Sequence, residues 1–546
     1  MRWKCLRLAW WRCASSPCKR IRTEPYIGDS QSRACQSPLL TPSASAMAPS
    51  STPQKVIARG VGSNAFSFVI RFAARASFLY VGARLYGAAN YGVFTMASAM
   101  VELAVPVASL GLKRMIFPWL EEEAHGDSPR PATHVLLDAL LLAACAGVAV
   151  ALLLILGTRL LPASVVSDQL RLAFALLAPA VLGQVTGDIA LAATRWTHKM
   201  RYEVIARGLV EPYVLTGVAL VAWHAGLHDT GMLLGYWAGS IALAGFSLWS
   251  ARHCLGSLQM RRWRPNLNGL AHRARSLVPA SGSDFLTNLA QRIDLYLVGF
   301  LLGDAAVGVY GVLRQLRTPI LQVRQAFDGI LTPLTARTLK TDGELATGEA
   351  TAAATRVILT IQLGVVLLMA AAGDALLDLF GAHYATGYSA LLAMVLAETI
   401  NGAFGVSELI LYYRRPALAL KVNLILIAIA AATIPLLTPH YGILGASMAM
   451  LLAAVVAALL RRYWLAGLGV RRHPLHAAVP AVAAGVSVLL GAYAGWVVRM
   501  SLLQGAPAGL VKATPPLLAL AFYLLFVWGW RKARPGILSL DRYRVS

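Results

Sequence analysis

The sequence predicts an all-α integral membrane protein with about fourteen transmembrane helices. Hydrophobic residues make up 57% of the 546 residues, charged residues make up 14%, and the mean hydropathy is +0.61. Apolar stretches of about 18 or more residues, long enough to cross the hydrocarbon core as helices, recur along nearly the whole chain. The alternating patterns of about ten residues that are typical of outer-membrane strands are absent from the sequence.

Fourteen spans are predicted from residue 59 onward, each bounded by charged residues or by turn residues. They cover 60–83, 90–112, 134–157, 170–194, 204–224, 231–250, 277–302, 305–333, 354–373, 387–412, 417–437, 441–464, 475–498 and 513–530.

The basic residues indicate how these spans are oriented. Lys and Arg gather in the connections after even-numbered spans, as at 113–114 and 252–275, whereas the connection 224–230 after span five contains neither. By the positive-inside rule, both termini are predicted to lie in the cytoplasm. The same distribution accounts for the net charge of +24 without a nucleic-acid partner, because no soluble domain remains to bind one.

One short motif occurs twice. "LYGAANYGVF" at 85–94 ends span one and opens span two, and "LLGDAAVGVY" at 301–310 does the same for spans seven and eight. Two six-helix units of the same orientation are therefore predicted, which is a transporter architecture. Gly87 and Gly303 are expected to form the external turns, and Gly92 and Gly308 to allow helices to approach closely.

This repeat sets the predicted domain organisation. The basic segment 1–58 is either a disordered tail or, as we favour, the product of a gene-start error upstream of a true start at Met47. The predicted domains are an N-terminal six-helix lobe at 59–250, a basic cytoplasmic linker at 251–276, a C-terminal six-helix lobe at 277–465, and two further helices with a basic tail at 466–546.

Span eight carries the most prominent charges within a predicted span. Arg314, Arg317, Arg324 and Asp328 follow one another at spacings of three, seven and four, which place them near one face of a helix. A charge at mid-membrane is costly, so these residues should face a cavity or a partner. Arg suits phosphate because its planar fork binds two oxygens at once. The alternative is a structural ladder neutralised by acids on neighbouring helices.

Spans one and seven occupy equivalent places in the two units and carry further polar residues. The substrate-binding candidates there are Arg71, Arg75, Asp284, Asn288, Gln291 and Arg292. Asp294 points elsewhere on its helix, so it is expected to be a structural partner for an Arg. The candidates for ion coupling are Glu102, Asp188, Glu398 and Asp328, each of which could equally balance a buried Arg.

No catalytic constellation is found in the sequence. It contains no Walker A motif, no GxSxG and no HExxH, and no predicted external loop exceeds about fifteen residues. The six cysteines fit neither a disulfide framework nor a zinc site. The sequence therefore predicts a transporter without catalytic residues, metal or cofactor.

Four stretches, in order, resemble polysaccharide flippases of the MOP superfamily (Wzx-type polysaccharide transporters). They are 63–112, the "QRIDLYLVGFLLGDAAVGVYGVLRQL" segment at 291–316, "LDLFGAHYATGYSALLAMVLAE" at 377–398, and "TPHYGILGASMAMLLA" at 438–453. No single stretch is specific, but their order is.

The resemblance implies a substrate, a location and partners. The substrate would be an undecaprenyl-pyrophosphate-linked oligosaccharide, moved between leaflets of the bacterial inner membrane by alternating access of two lobes. Partners would include the lipid bilayer, a polysaccharide polymerase and chain-length machinery. A MATE-type drug or cation antiporter, a lipid II flippase and a membrane-bound glycosyltransferase or polymerase remain as alternatives.

Overall fold

The chain folds into long helices, and the prediction of an all-α membrane protein is confirmed. The computed structural model describes residues 73–125, 131–160, 167–197, 199–256, 263, 265, 267–341, 343–468, 475–501 and 508–533. All of them belong to one compact unit, residues 62–546. The segment 1–58, with the predicted start at Met47, lies outside the described residues.

The helices of the described chain are numbered α1 to α19. Helix α1 covers residues 73–85, of which Val81–Leu85 form a π-helical turn. The others are α2 Gly87–Ala108, α3 Leu112–His125, α4 Ala132–Leu160, α5 Asp168–Leu177, α6 Ala180–Trp196, α7 Arg201–Ile205, α8 Glu211–His224, α9 Gly231–Leu255, α10 Leu267–Leu302, α11 Asp304–Leu316, α12 Thr318–Thr341, α13 Gly343–Phe380, α14 Ala382–Ala385, α15 Tyr388–Gly405, α16 Glu408–Arg414, α17 Pro416–Gly467, α18 Leu475–Ser501 and α19 Ala508–Ala533.

Each predicted span coincides with helix in the described chain. Several spans consist of two helical pieces: α11 and α12 meet at Arg317, just before Pro319, and α15 and α16 meet at residues 406–407. Spans eleven and twelve form one helix, α17, broken at Gly442, whose φ is +57°. Eight helical stretches of the described residues are long and apolar enough to cross a membrane, so the count of fourteen crossings remains a prediction.

Two helical segments lie where connections were expected. Helix α3 occupies the connection between spans two and three, and Trp119 on it is buried. Helix α10 begins at Leu267, inside the stretch 251–276 assigned to a linker. Leu270 and Leu277, seven residues apart, are both buried and define one apolar face. The polar residues between them lower the local hydropathy, which explains why this segment was not recognised as helix.

The two copies of the repeated motif contact each other. A Cβ added to Gly92 on α2 would collide with the backbone carbonyl of Asp304 on α11, and one added to Gly308 would collide with the carbonyl of Ala88. The predicted close approach at Gly92 and Gly308 is therefore confirmed.

The motif's other glycines form the predicted turns. Gly87 is the first residue of α2 and Gly303 immediately precedes α11, and their φ values of +79° and +82° are ones that glycine adopts without strain. We call residues 59–250 the first repeat and residues 277–465 the second repeat.

The C-terminal helices α18 and α19 pack against each other and against α13 of the second repeat. An added Cβ at Gly491 would meet the backbone nitrogen of Ala519 at 2.5 Å, so the two helices are in close contact. Tyr523 on α19 is buried and donates a hydrogen bond of 3.0 Å to the carbonyl of Thr360 on α13. The pair is thus anchored to the second repeat by both apolar packing and a buried hydrogen bond.

The glycine contact between α2 and α11 should not tolerate a methyl group. We expect Gly92→Ala and Gly308→Ala each to lower the free energy of unfolding by about 1–3 kcal/mol, because the added carbon forces two backbones apart. Thermal unfolding of the detergent-solubilised protein measures this effect. Gly217→Ala is the matched control, since an added Cβ there meets no atom within 4 Å. Equal melting temperatures for all three variants would contradict the tight contact.

Candidate functional site

A polar cavity of about 820 Å³ lies between helices of the first repeat and α10 of the second. Its lining contains four basic and four acidic side chains, so their formal charges balance. The basic residues are Lys113, Arg195, Arg207 and Arg292, and the acidic residues are Glu102, Asp188, Glu211 and Asp284. Uncharged polar groups, including Ser109, Gln184, Thr287 and Asn288, complete the polar part of the lining.

One wall of the cavity is a charge network centred on Arg207. Its guanidinium pairs with Asp188, lies 3.3 Å from Glu211 and donates to the Gln184 side-chain oxygen at 3.3 Å. Gln184 in turn donates to Glu211 at 2.7 Å, and Lys113 lies 3.5 Å from Asp188. Two carboxylates thus share one guanidinium, and Asp188 also has the Lys113 ammonium beside it.

Two prolines shape the helices that present these groups. Pro212 follows Glu211 and has no backbone N–H, and the helix widens into a π-helical turn at Ala206–Val210 just before it. Arg207 projects from that turn. Pro106 on α2 removes the backbone hydrogen bond that the carbonyl of Glu102, four residues earlier, would otherwise accept.

Across the cavity, α2 meets α10 along a seam between the repeats. Ser281 donates to the carbonyl of Pro106 at 3.0 Å, and Tyr296 donates to the carbonyl of Ala99 at 2.8 Å. Between these two hydrogen bonds, Arg292 on α10 forms an ion pair with Glu102 on α2. The seam therefore contains one charged contact between two neutral ones.

The other end of the helix bundle is closed by contacts between the repeats. Beyond the contact of Gly92 with Asp304, the Ser167 hydroxyl donates to the Asp304 carboxylate at 2.8 Å. The buried Tyr384 donates to the carbonyl of Ala83 at 3.1 Å. The cavity lies further along α2 and α10, toward the end that the positive-inside rule assigns to the cytoplasm.

The arginines of span eight make separate contacts. Arg314 forms an ion pair with Asp294, which is fully buried and also accepts a hydrogen bond of 3.0 Å from Tyr310. The expectation that Asp294 is the structural partner of an Arg is therefore confirmed. Arg317 lies 3.4 Å from Glu398, and a Cβ at Gly405 would stand 2.9 Å from the Arg324 guanidinium.

The structure brings only some of the predicted site residues together. Glu102, Asp188, Asp284, Asn288 and Arg292 line the cavity. Arg314, Arg317, Arg324 and Glu398 are absent from the lining. Arg314 pairs with Asp294 on α10, Arg317 pairs with Glu398 on α15, and Arg324 lies against Gly405 at the end of α15. Arg75 and Gln291 are exposed and also absent from the lining. Arg71 and the side chain of Asp328 lie outside the described part of the chain.

Some cavity residues were not predicted as site residues. Lys113 belongs to a predicted basic connection and Arg195 directly follows the predicted span 170–194, although both lie in helices that reach the cavity. Arg207 stands near the start of span five, where a charge looks like an ordinary span end, whereas Glu211 in the same span is one of the acids that the sequence offers as a possible ion site. Their spacing of four residues was the available signal, because it places opposite charges on one face of a helix.

This arrangement can bind an amphoteric polar group. The guanidinium and ammonium groups offer donors to phosphate or carboxylate oxygens, and the carboxylates accept hydrogen bonds from hydroxyl groups or attract a cation. The described residues contain no group of three or more His, Cys, Asp or Glu side chains that could hold a metal ion.

Comparison with known proteins identifies the family. The sequence profile of the family described as "Polysaccharide biosynthesis protein" matches residues 81–388, more than half of the chain. The chain belongs to this family. Among curated proteins, none matches it significantly. The matched residues 81–388 include the whole cavity lining.

The fold of this polysaccharide biosynthesis family member is similar to that of two solved transporters. A lipid II flippase, MurJ, in an inward closed conformation has a similar structure, with a TM-score of 0.68 and 11% identity over 86% of this chain and 99% of that one. An inward-facing MATE multidrug transporter of the MOP superfamily gives a TM-score of 0.57 and 14% identity, covering 73% and 98%. The chain therefore has the fold that these transporters share.

Breaking the buried pair of Asp294 and Arg314 should destabilise the protein. We expect Asp294→Asn to cost about 3–5 kcal/mol of unfolding free energy, because it leaves the Arg314 guanidinium without its counter-charge. The double variant Asp294→Leu with Arg314→Met should recover much of the loss. Size-exclusion chromatography after heating measures both effects.

Asp168→Asn is the control for this test, since Asp168 pairs with Arg171 but its side chain is 92% exposed. If Asp168→Asn lost as much unfolding free energy as Asp294→Asn, burial of the ion pair would not determine the size of the effect.

Proposed function

We propose that the protein is a flippase that moves an undecaprenyl-pyrophosphate-linked oligosaccharide from the cytoplasmic to the periplasmic leaflet of the bacterial inner membrane. The observation that carries this proposal is the cavity of about 820 Å³, lined by charged groups, in a member of a polysaccharide biosynthesis family. It is large enough for a drug-sized polar head group.

The chemistry of the cavity suits such a head group. Pyrophosphate oxygens accept from Arg and Lys side chains, and sugar hydroxyls donate to carboxylates. A lining with equal numbers of both kinds matches a substrate that carries both kinds of group. The lipid tail stays in the bilayer while the head occupies the cavity.

The position of the cavity supports loading from the cytoplasmic side. The repeats touch at the end predicted to be external, through Gly92 and Asp304, while the cavity lies toward the opposite end. Transport then requires the contacts between the two six-helix lobes to break at the external end, so that the cavity becomes accessible from that side. Glu102 and Asp188 are the cavity-lining candidates for coupling this movement to an ion.

Other sequence-based assignments remain part of the proposal. Arg314, Arg317 and Arg324 keep their proposed role along the substrate path, for which the alternative is the structural one that their acidic neighbours support. The proposed partners are the polymerase and chain-length machinery that would use the translocated repeat unit.

One observation favours a second candidate function. Four carboxylates line the cavity, and the fold is shared with a MATE multidrug transporter. A cation exporter would use those carboxylates to bind its substrate. It would leave the cavity arginines without an anionic ligand, which is why we prefer the flippase.

Deleting the gene should reduce surface polysaccharide and cause lipid-linked oligosaccharide to accumulate in the cytoplasmic leaflet. Arg207→Gln and Arg292→Gln should reproduce this defect at normal protein levels, because each removes a donor from the cavity. Labelled glycan at the cell surface and extracted lipid-linked precursor are the two measurements. Testing Arg314→Gln, Arg317→Gln and Arg324→Gln in parallel shows whether the span-eight arginines also contribute.

Arg252→Gln is the control, since Arg252 is exposed at the end of α9 and absent from the cavity lining. If the deletion left surface glycan intact and instead made cells sensitive to cationic drugs, the exporter would replace the flippase.

The predicted topology has its own test. Green fluorescent protein fused to the C terminus should fluoresce, because the positive-inside rule places that end in the cytoplasm. Alkaline phosphatase inserted at Gly226, in the turn after α8, should be active because that turn is predicted to be periplasmic. The opposite pair of results would invert the topology.

A further inference from the structure

The seam between α2 and α10 contains one contact that an added charge can break. The hydroxyls of Ser281 and Tyr296 donate to backbone carbonyls, and neither residue lines the cavity, so an anion bound there does not meet them. The pair of Glu102 and Arg292 is different, because the guanidinium holds a carboxylate that another anion can replace. Both residues also line the cavity.

Exposure shows which partner can leave. The side chain of Glu102 is 43% exposed, whereas Asp188 and Glu211, the carboxylates around Arg207, are 9% and 18% exposed. A half-exposed carboxylate keeps much of its hydration, so its ion pair is weak and it can separate at little cost. A buried carboxylate has no such alternative.

The free hydrogen-bonding capacity of Arg292 shows what can replace Glu102. The Nε atom of Arg292 is buried and has no hydrogen-bond partner, so the pair with Glu102 leaves one donor of the guanidinium unsatisfied. A phosphate group presents several oxygens to a planar fork and binds two donors at once. It can therefore satisfy Arg292 more fully than Glu102 does.

We propose that Glu102 is a latch displaced by the substrate: it holds Arg292 across the seam when the cavity is empty and yields it to a phosphate of the substrate. This proposal rests on the proposed function, because it requires an anionic head group. Binding removes the charged contact between α2 and α10 and leaves two neutral hydrogen bonds. Substrate binding therefore favours separation of the two helices. The free energy of this effect equals the difference between the affinity of the phosphate for released Arg292 and its affinity for Arg292 paired with Glu102.

The first test is binding of inorganic pyrophosphate to the purified full-length protein in lipid nanodiscs. Glu102→Gln removes the competing carboxylate, so we expect about three- to fivefold tighter binding, the range that a weak, half-exposed ion pair allows. Arg292→Gln should weaken binding, and Arg292→Lys should restore it only in part because an ammonium lacks the planar fork.

Glu123→Gln is the matched control for Glu102→Gln. Glu123 on α3 also forms an ion pair with α10, at 2.7 Å from Arg273, but it does not line the cavity. Removing the Glu123 carboxylate breaks an ion pair between α3 and α10 but does not free Arg292. The affinity for pyrophosphate should therefore stay at the wild-type value. Glu102→Asp serves as the second variant if Glu102→Gln does not fold, and it should show a smaller gain.

The second test measures the seam itself. Spin labels at Val107 on α2 and Val278 on α10, both exposed, flank the contact between Pro106 and Ser281. In a background with the six cysteines replaced by serine, pyrophosphate should lengthen the label distance in the otherwise native protein. Glu102→Gln should show the longer distance without ligand.

The outcomes separate the latch from the flippase. The latch would be overturned if folded Glu102→Gln bound pyrophosphate with wild-type affinity, or if pyrophosphate left the label distance unchanged. The proposed flippase function would still be supported if the gene deletion caused lipid-linked precursor to accumulate in cells. A protein that binds no pyrophosphate, from a strain whose gene deletion leaves surface glycan intact, would overturn both.

Discussion

A charged side chain within an apolar helix bundle needs a partner of opposite charge or a hydrogen-bonding partner. This requirement determines where the charged residues of the described chain lie. Asp294 is fully buried and is satisfied by Arg314, Tyr310 and a backbone N–H. Arg461 is almost as buried and is held by Glu408 and Asn401. Because each pair joins two helices, the same contacts that neutralise charge also fix which helices are neighbours.

The ion pairs differ in the solvent exposure of their side chains. This difference distinguishes pairs that stabilise the fold from pairs that we propose contact the substrate. Asp294 and Arg314 are enclosed, so their pairing is a condition of folding. Glu102 and Arg292 border a cavity and keep access to solvent, as the proposed exchange with a substrate phosphate requires. A transporter of polar head groups needs both kinds: permanent pairs that hold each bundle, and replaceable pairs that meet the substrate.

Sequence patterns predicted the helices, the glycine contact and the pairing of Asp294, because each depends on local spacing or on the repeat. They did not place the span-eight arginines. A regular helix would align Arg314, Arg317 and Arg324, but the helix is interrupted at Arg317 and their partners lie on α10 and α15, which local sequence does not reveal. Lys113 and Arg207 were not predicted as site residues for a related reason. Charges near the ends of spans look like solvated connections in the sequence, and only helix packing brings these two into the cavity.

The contact between α2 and α11 has the form of an isologous interface inside a single chain. Gly92 meets Asp304 and Gly308 meets Ala88, and the two members of each equivalent pair, 88 with 304 and 92 with 308, stand 216 residues apart. Such an interface is self-complementary, as in a twofold dimer. A six-helix chain carrying this motif once would present a face that fits a second copy of itself, and fusing two such copies would keep that contact while removing its dependence on concentration.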